Sequence, residues 1–227
     1  SLMLSPLLIP QGLYTRKTTL KLDEPNGERI GERGTGAPLR LLILGDSAAA
    51  GVGVTTQESA LSGQLVTKLT DHYHVEWRLV AESGVNTMDV ITKLDTLKAF
   101  ETDVVLISLG VNDVTSKVRC KEWLKQQDNL RKLLVTKFNA KYILFSSLPP
   151  MHDFPALPQP LRWYLGRRAK IFNKALLKQS LGYDELEFLS VNFPIRREFF
   201  AEDGFHPSAT AYTVWSEIVA NKIQKKQ

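Results

Sequence analysis

Leu39-Arg40-Leu41-Leu42-Ile43-Leu44-Gly45-Asp46-Ser47 is the stretch whose reading decides the fold. An apolar run of this length, closed by a glycine and then by small and polar residues, reads as a strand buried on both faces, the habit of parallel sheets. The pattern recurs at Asp103-Val104-Val105-Leu106-Ile107-Ser108-Leu109, which leads into Gly110-Val111-Asn112-Asp113, and again over residues 141–147. Working outward, strands are predicted over 39–45, 74–81, 103–109, 141–147 and 186–191. Helices are predicted near 57–70, 87–99 and 120–137, from Leu161, and from Pro207 to about Lys222. Such alternation predicts an α/β architecture with a parallel sheet and helices on both faces. Residues just past the strands then face the ligand crevice.

Composition sets the frame. A chain of 227 residues with 43% hydrophobic and 23% charged residues suits one soluble α/β domain with a substantial core. Residues 23–38 carry Pro25, Gly27, Gly31, Gly34, Gly36 and Pro38 and read as a loop, so residues 1–38 are taken as an N-terminal arm and linker and 39–227 as the domain. The net charge is +5, yet no Lys/Arg block with interleaved aromatics marks a nucleic-acid groove. Cys120 is the single cysteine, which excludes an intramolecular disulfide and a cysteine-based zinc cluster. The stretch from Ser1 to Pro10 is apolar but shorter than the roughly 20 residues that span a bilayer. It fits the trimmed stub of a membrane anchor or signal as well as an arm packing on the domain, so cytoplasm and membrane-associated cell envelope both stay open.

Four turns at the ends of strand or strand-loop units carry chemistry. Ser47 stands before Ala48-Ala49-Ala50-Gly51, where a helix amino end would offer N–H groups to an oxyanion formed by serine attack, although a serine after a strand commonly does no more than cap its helix. The segment lacks the Gly-Lys-Ser/Thr end of a phosphate-binding loop. Thr56 stands where a dinucleotide fingerprint wants glycine, and Ala49 breaks a Gly-x-Ser-x-Gly elbow. Asp203 precedes His206 by three residues, close enough for the carboxylate to fix the imidazole tautomer, and Pro207 suits a first helical position. Helix capping, or a metal site joined by Asp46 and Asp113, would also use these residues, but no second histidine or cysteine pair stands at ligand spacing. Asn112 offers an uncharged amide donor and Gly84, in Glu82-Ser83-Gly84-Val85-Asn86, a bare backbone N–H. Each is ambiguous alone. Together they supply complementary parts of one reaction at the ends of successive strands.

Gly45-Asp46-Ser47, Gly84, Gly110-Val111-Asn112-Asp113 and Asp203-Gly204-Phe205-His206 resemble the sequence blocks of the SGNH (GDSL-type) hydrolases, from about Leu39 to the C-terminus. Ala48 departs from the leucine of the family's name. The resemblance implies a flavodoxin-like three-layer α/β/α sandwich on a five-stranded parallel sheet, with no metal and no organic cofactor. It implies Ser47 as nucleophile, His206 as base, Asp203 as its orienting carboxylate, and Ser47, Gly84 and Asn112 as the oxyanion hole. Family substrates include lipid esters, thioesters and acetylated sugars. The proline-rich run from Phe154 to Leu161, followed by Gly166-Arg167-Arg168-Ala169, looks like a bacterial subgroup associated with long-chain N-acyl amino acid synthesis.

The expected reaction is hydrolysis of carboxylic esters or thioesters through an acyl-enzyme on Ser47. Fatty-acyl substrates, with an acyl carrier protein as a candidate partner, are preferred because Met151, Phe154, Leu157, Leu161, Trp163 and Tyr164 follow the fourth strand. Of these Phe154, Leu157 and Trp163 are the candidate acyl contacts; ordinary packing of a long loop accounts for the stripe equally well. Sugar O-deacetylation on the same site and a catalytically silent binding module are the competing readings. Membrane association through a missing N-terminal segment, of which the apolar stretch would be the stub, is a further expectation.

Overall fold

A computed structural model describes residues 5–191 and 196–226. The sheet is built from β1 (Ile30–Arg33), β2 (Ala37–Gly45), β3 (Tyr73–Ala81), β4 (Val104–Ser108), β5 (Tyr142–Ser146) and β6 (Leu186–Leu189) in the order β1-β3-β2-β4-β5-β6. β1 pairs antiparallel with β3 and every other pairing is parallel. The five parallel strands have the doubly wound, flavodoxin-like order that was expected. The sheet has six strands rather than five, because Ile30-Gly31-Glu32-Arg33, read as linker, forms an antiparallel edge. Gly31 permits this: a Cβ there would lie 2.4 Å from the Trp77 ring.

Alternation along the buried strands separates two cores. Leu42, Leu44, Val105, Ile107, Ile143 and Phe145 face α4 (Thr87–Thr96), α6 (Cys120–Phe138) and α7 (Leu161–Ser180), where Leu94, Leu134 and Phe172 receive them. Leu41, Ile43, Val104, Leu106 and Leu144 face α3 (Leu61–Leu69) and α8 (Ala209–Lys226), against Leu65, Tyr212 and Val219. Burying a Leu or Val side chain contributes about 1.5–3 kcal/mol, so these two seams dominate the stability of the fold. Two short helices, α2 (Ser47–Ala50) and α5 (Val111–Thr115), follow β2 and β4 directly.

The first 38 residues are less separate than their composition suggests. Ser5–Thr18 forms α1, whose Leu8 enters the first core and whose Gln11 bonds to the carbonyl of Gln159 and the N–H of Leu161. The final helix begins at Ala209 and not at Pro207. Pro207 is held in a bridge to Phe200, and the Ser208 hydroxyl accepts from Ala211 N at 3.3 Å.

β2 lies between β3 and β4, so chain direction across the sheet reverses at its carboxyl end. Open α/β sheets bind their ligands at such a switch point.

Candidate active site

The turn after β2 is close-packed. A Cβ on Gly45 would lie 2.1 Å from the Ser108 carbonyl oxygen of β4, and Asp46 N donates to that same oxygen at 3.2 Å. The Asp46 side chain caps α2 by accepting from Ala48 N at 3.2 Å, which fixes Ser47 as the first helical residue at the switch point. The sequence separation between Ser47 and His206 is 159 residues, yet their side chains meet: Ser47 Oγ lies 2.9 Å from His206 Nε2. His206 Nδ1 lies 2.5 Å from Asp203 Oδ2, and the other carboxylate oxygen, Oδ1, accepts from the backbone N–H groups of Phe205 (2.9 Å) and His206 (3.0 Å).

These contacts assign the proton. A carboxylate only accepts, so Nδ1 carries the hydrogen and Nε2 presents its lone pair to the serine hydroxyl. Burial alone would raise the Asp203 carboxyl. The bonds from the His206 ring and from the two backbone N–H groups outweigh burial and hold it below the ordinary carboxylate range. The side chain is fully enclosed while the imidazole keeps 19% of its surface open.

Asn112 and Gly84 occupy the adjoining strand ends. Asn112, on α5, donates one amide hydrogen to the Val85 carbonyl at 2.8 Å, leaving the second free of that bond. Gly84 has φ +84, and a Cβ there would touch nothing within 4 Å, so glycine serves the left-handed backbone and not a tight contact. A buried network not read from the sequence ties the two loops together. Thr87 donates its backbone N–H and its hydroxyl to Asp113, next to Asn112, while Trp123 Nε1 and Gln127 Nε2 donate to the Thr87 hydroxyl at 3.2 and 2.9 Å. Asp113 in the Gly-Val-Asn-Asp turn was the only hint.

Asp46 is the most perturbed carboxyl of the site. Burial pushes it up to about 7 against the opposing pull of the Ala48 N–H and of His206, and its Oδ2 has no hydrogen-bond partner. Between about pH 4, where an unfolded aspartate ionises, and about pH 7, only the folded chain holds this proton, so Asp46 makes stability fall as pH rises across that window. Asp46→Asn keeps an oxygen for the helix cap and removes the titration. The melting temperature of the variant relative to wild type is expected to climb from pH 4 to pH 7 and then level; a constant difference would show that Asp46 is not buried as a neutral acid.

Of the three candidate acyl contacts, Phe154 and Leu157 are buried and belong to the first core, while Trp163 lies 47% exposed on α7 beside Arg167. Phe154 meets Phe205 edge-on at 5.1 Å, and Phe205 meets the His206 ring at 5.3 Å, so an aromatic wall reaches the imidazole through Phe205. Among the described residues no group of three or more His, Cys, Asp or Glu side chains stands ready to share a metal ion. A separate concavity of about 400 Å³, lined by residues including Arg40, Glu76, Arg78 and Phe100, opens toward the amino half of β2 and β3, away from Ser47.

The model of the GDSL-like lipase/acylhydrolase family matches residues 43–214, a span that contains every residue of this site. The chain belongs to that family. It is accordingly a hydrolase of the GDSL type, and ester hydrolysis is its reaction class. Solved structures with the same fold include a lipase, Lip_vut3, from a goat rumen metagenome, 20% identical over 81% of this chain and 96% of that one with a TM-score of 0.65. Est24, a carbohydrate acetylesterase from Sinorhizobium meliloti, is 20% identical over 83% and 100% with a TM-score of 0.61. A carbohydrate esterase family 2 enzyme from Corynascus thermopiles (Myceliophthora fergusii), which also carries a carbohydrate-binding domain, is 14% identical over 85% and 68% with a TM-score of 0.68. At these identities the GDSL fold is what is shared. No curated protein compared with the chain matches it.

Proposed function

We propose that this hydrolase cleaves fatty-acyl esters or thioesters through an acyl-enzyme on Ser47. The observation that carries the reading is the continuous hydrogen-bonded series Ser47–His206–Asp203 at the switch point of the sheet. In the first half-reaction Ser47 Oγ bonds to the substrate carbonyl carbon as its proton passes to His206 Nε2. The carbonyl oxygen takes the negative charge, met by the N–H groups of Ser47 and Gly84 and by the Asn112 amide. Collapse breaks the carbonyl–oxygen or carbonyl–sulfur bond, and His206 returns the proton to the departing alcohol or thiol. Water then repeats the sequence: it gives a proton to His206, attacks the acyl carbon, and the acid leaves as the proton returns to Ser47 Oγ.

The acyl preference is supported by the aromatic wall beside the imidazole. Phe205 is partly exposed and backed by Phe154, so an alkyl chain lying on it would gain about 25 cal/mol for each Å² removed from water. Because Phe154 and Leu157 are core residues, their truncation would test stability more than recognition. The subgroup linked to N-acyl amino acid synthesis is favoured only by the segment 154–169, and an acyl carrier protein only by the thioester option.

The test is a panel of p-nitrophenyl esters from acetyl to palmitoyl, assayed on wild type and Phe205→Leu. Wild type is expected to favour chains of eight carbons or more, and the variant to lose roughly tenfold more kcat/KM on decanoyl than on acetyl ester, as about 1.4 kcal/mol of lost contact would give. An acetyl optimum with equal losses along the panel would overturn the fatty-acyl reading in favour of sugar-acetate hydrolysis.

A further inference from the structure

The outer face of α1 is apolar. Leu8, Gln11 and Thr15 turn toward the domain, but Leu7, Ile9, Leu13 and Tyr14 on the solvent side are between 49% and 67% exposed. A helix that is apolar both inward and outward is not shaped for water alone. Its neighbour α7 shows a matching stripe at helical spacing: Trp163, Arg167, Lys170, Ile171, Lys174, Leu177 and Lys178 are all exposed, and Leu181 just past the helix is 82% exposed.

Charge on these two helices has one sign. Together α1 and α7 hold Arg16, Lys17, Arg162, Arg167, Arg168, Lys170, Lys174 and Lys178 and no Asp or Glu. Removing these eight from the chain's 29 Lys and Arg leaves 21 against 24 Asp and Glu, so the whole positive excess of the protein resides on this pair of helices. Among the described residues none of the eight joins an ion pair.

We infer that the outer faces of α1 and α7 form a docking surface for an anionic lipid bilayer. Exposed Leu, Ile and Trp side chains enter the acyl–headgroup boundary while flanking Arg and Lys reach the phosphates, the division of labour of an interfacial helix. None of the described helices is long and apolar enough to cross the membrane. The surface also leads to the active site. Gln11 of α1 bonds to Gln159 and Leu161, and in the same proline-rich connection Ala156 N donates to Gly204 O, between Asp203 and His206. A docked bilayer therefore supplies lipid esters beside the catalytic loop, an extension that rests on the fatty-acyl reading; the docking itself does not.

Cosedimentation with vesicles of phosphatidylcholine, with and without phosphatidylglycerol, tests the inference on the Ser47→Ala chain, so that substrate turnover plays no part. Binding is expected only with phosphatidylglycerol and is expected to weaken as salt rises. Ile9→Ser/Leu13→Ser and, separately, Lys170→Glu/Lys174→Glu should each lower the partition coefficient about tenfold or more. In the Ser47-containing chain the same pairs should leave acetyl-ester turnover and melting temperature unchanged. Equal binding to both vesicles, or to neither, overturns the inference. So does a dimer in analytical ultracentrifugation that Leu13→Ser dissociates, which would make a second copy the occupant. Capture of an acidic acyl carrier protein that Lys170→Glu abolishes and Leu13→Ser spares, with no vesicle binding, would assign the stripe to a protein partner.

Discussion

Ser47→Ala and His206→Ala are each expected to lower kcat by about 10⁴- to 10⁶-fold, with the double variant scarcely slower than either single one. The reason is the 2.9 Å contact between Ser47 Oγ and His206 Nε2: in the proposed mechanism one group makes the bond and the other moves its proton, so neither step would survive the loss of its partner. Effects that multiplied, giving a double variant slower by the product of the two losses, would mean that the residues act independently. Both side chains are partly exposed, so the variants should melt near wild type.

Asp203→Asn is expected to cost about 10⁴-fold in kcat, equivalent to about 5.4 kcal/mol, without loss of the fold. The argument follows from the two faces of this carboxylate. Its Oδ1 takes two backbone N–H bonds, from Phe205 and His206, and only an oxygen can accept them. In the variant the amide oxygen is held there, which turns the NH₂ group toward His206 Nδ1. Nδ1 must then accept, the ring proton moves to Nε2, and Nε2 no longer takes the proton of Ser47. Steady-state kinetics with thermal melts check this; activity within tenfold of wild type would mean that Asp203 does not fix the tautomer.

The parts of the fold that were legible are those with a local cause. β2, β4 and β5 are apolar on both faces because helices cover both sides of the sheet, so composition alone exposes them. β1 was not legible. Its four residues include an exposed Ile30 and owe their conformation to pairing with β3, a tertiary cause with no local pattern. α1 was obscured by Pro6, Pro10 and Gly12 and by apolar residues on both faces, which blur the helical period. The helix expected over 57–70 is divided, because the Gln57 side chain turns back to the Ala50 carbonyl and takes the Ser62 hydroxyl bond, leaving a short turn at Gln57–Ser59 before α3.

Within the site the chemical residue types were legible and their support was not. Ser47, Asp203 and His206 announce themselves because serine, carboxylate and imidazole follow strand ends in short, unusual combinations. Nothing local reveals that Thr87 gathers Asp113, Trp123 and Gln127, since those partners lie 26, 36 and 40 residues away. In the sequence Phe205 is no more than a member of the Asp203–His206 block; its place between Phe154 and the imidazole depends on how the proline-rich connection folds back.

The most direct test of the central claim is reaction of the intact protein with a fluorophosphonate, followed by peptide mass spectrometry. A single phosphonyl adduct on Ser47, formed rapidly in wild type and slowed at least a hundredfold in His206→Ala, is the predicted result, because the serine is nucleophilic only while the imidazole can take its proton. An unlabelled Ser47, or a label on Ser47 that forms at the same rate without His206, would contradict it.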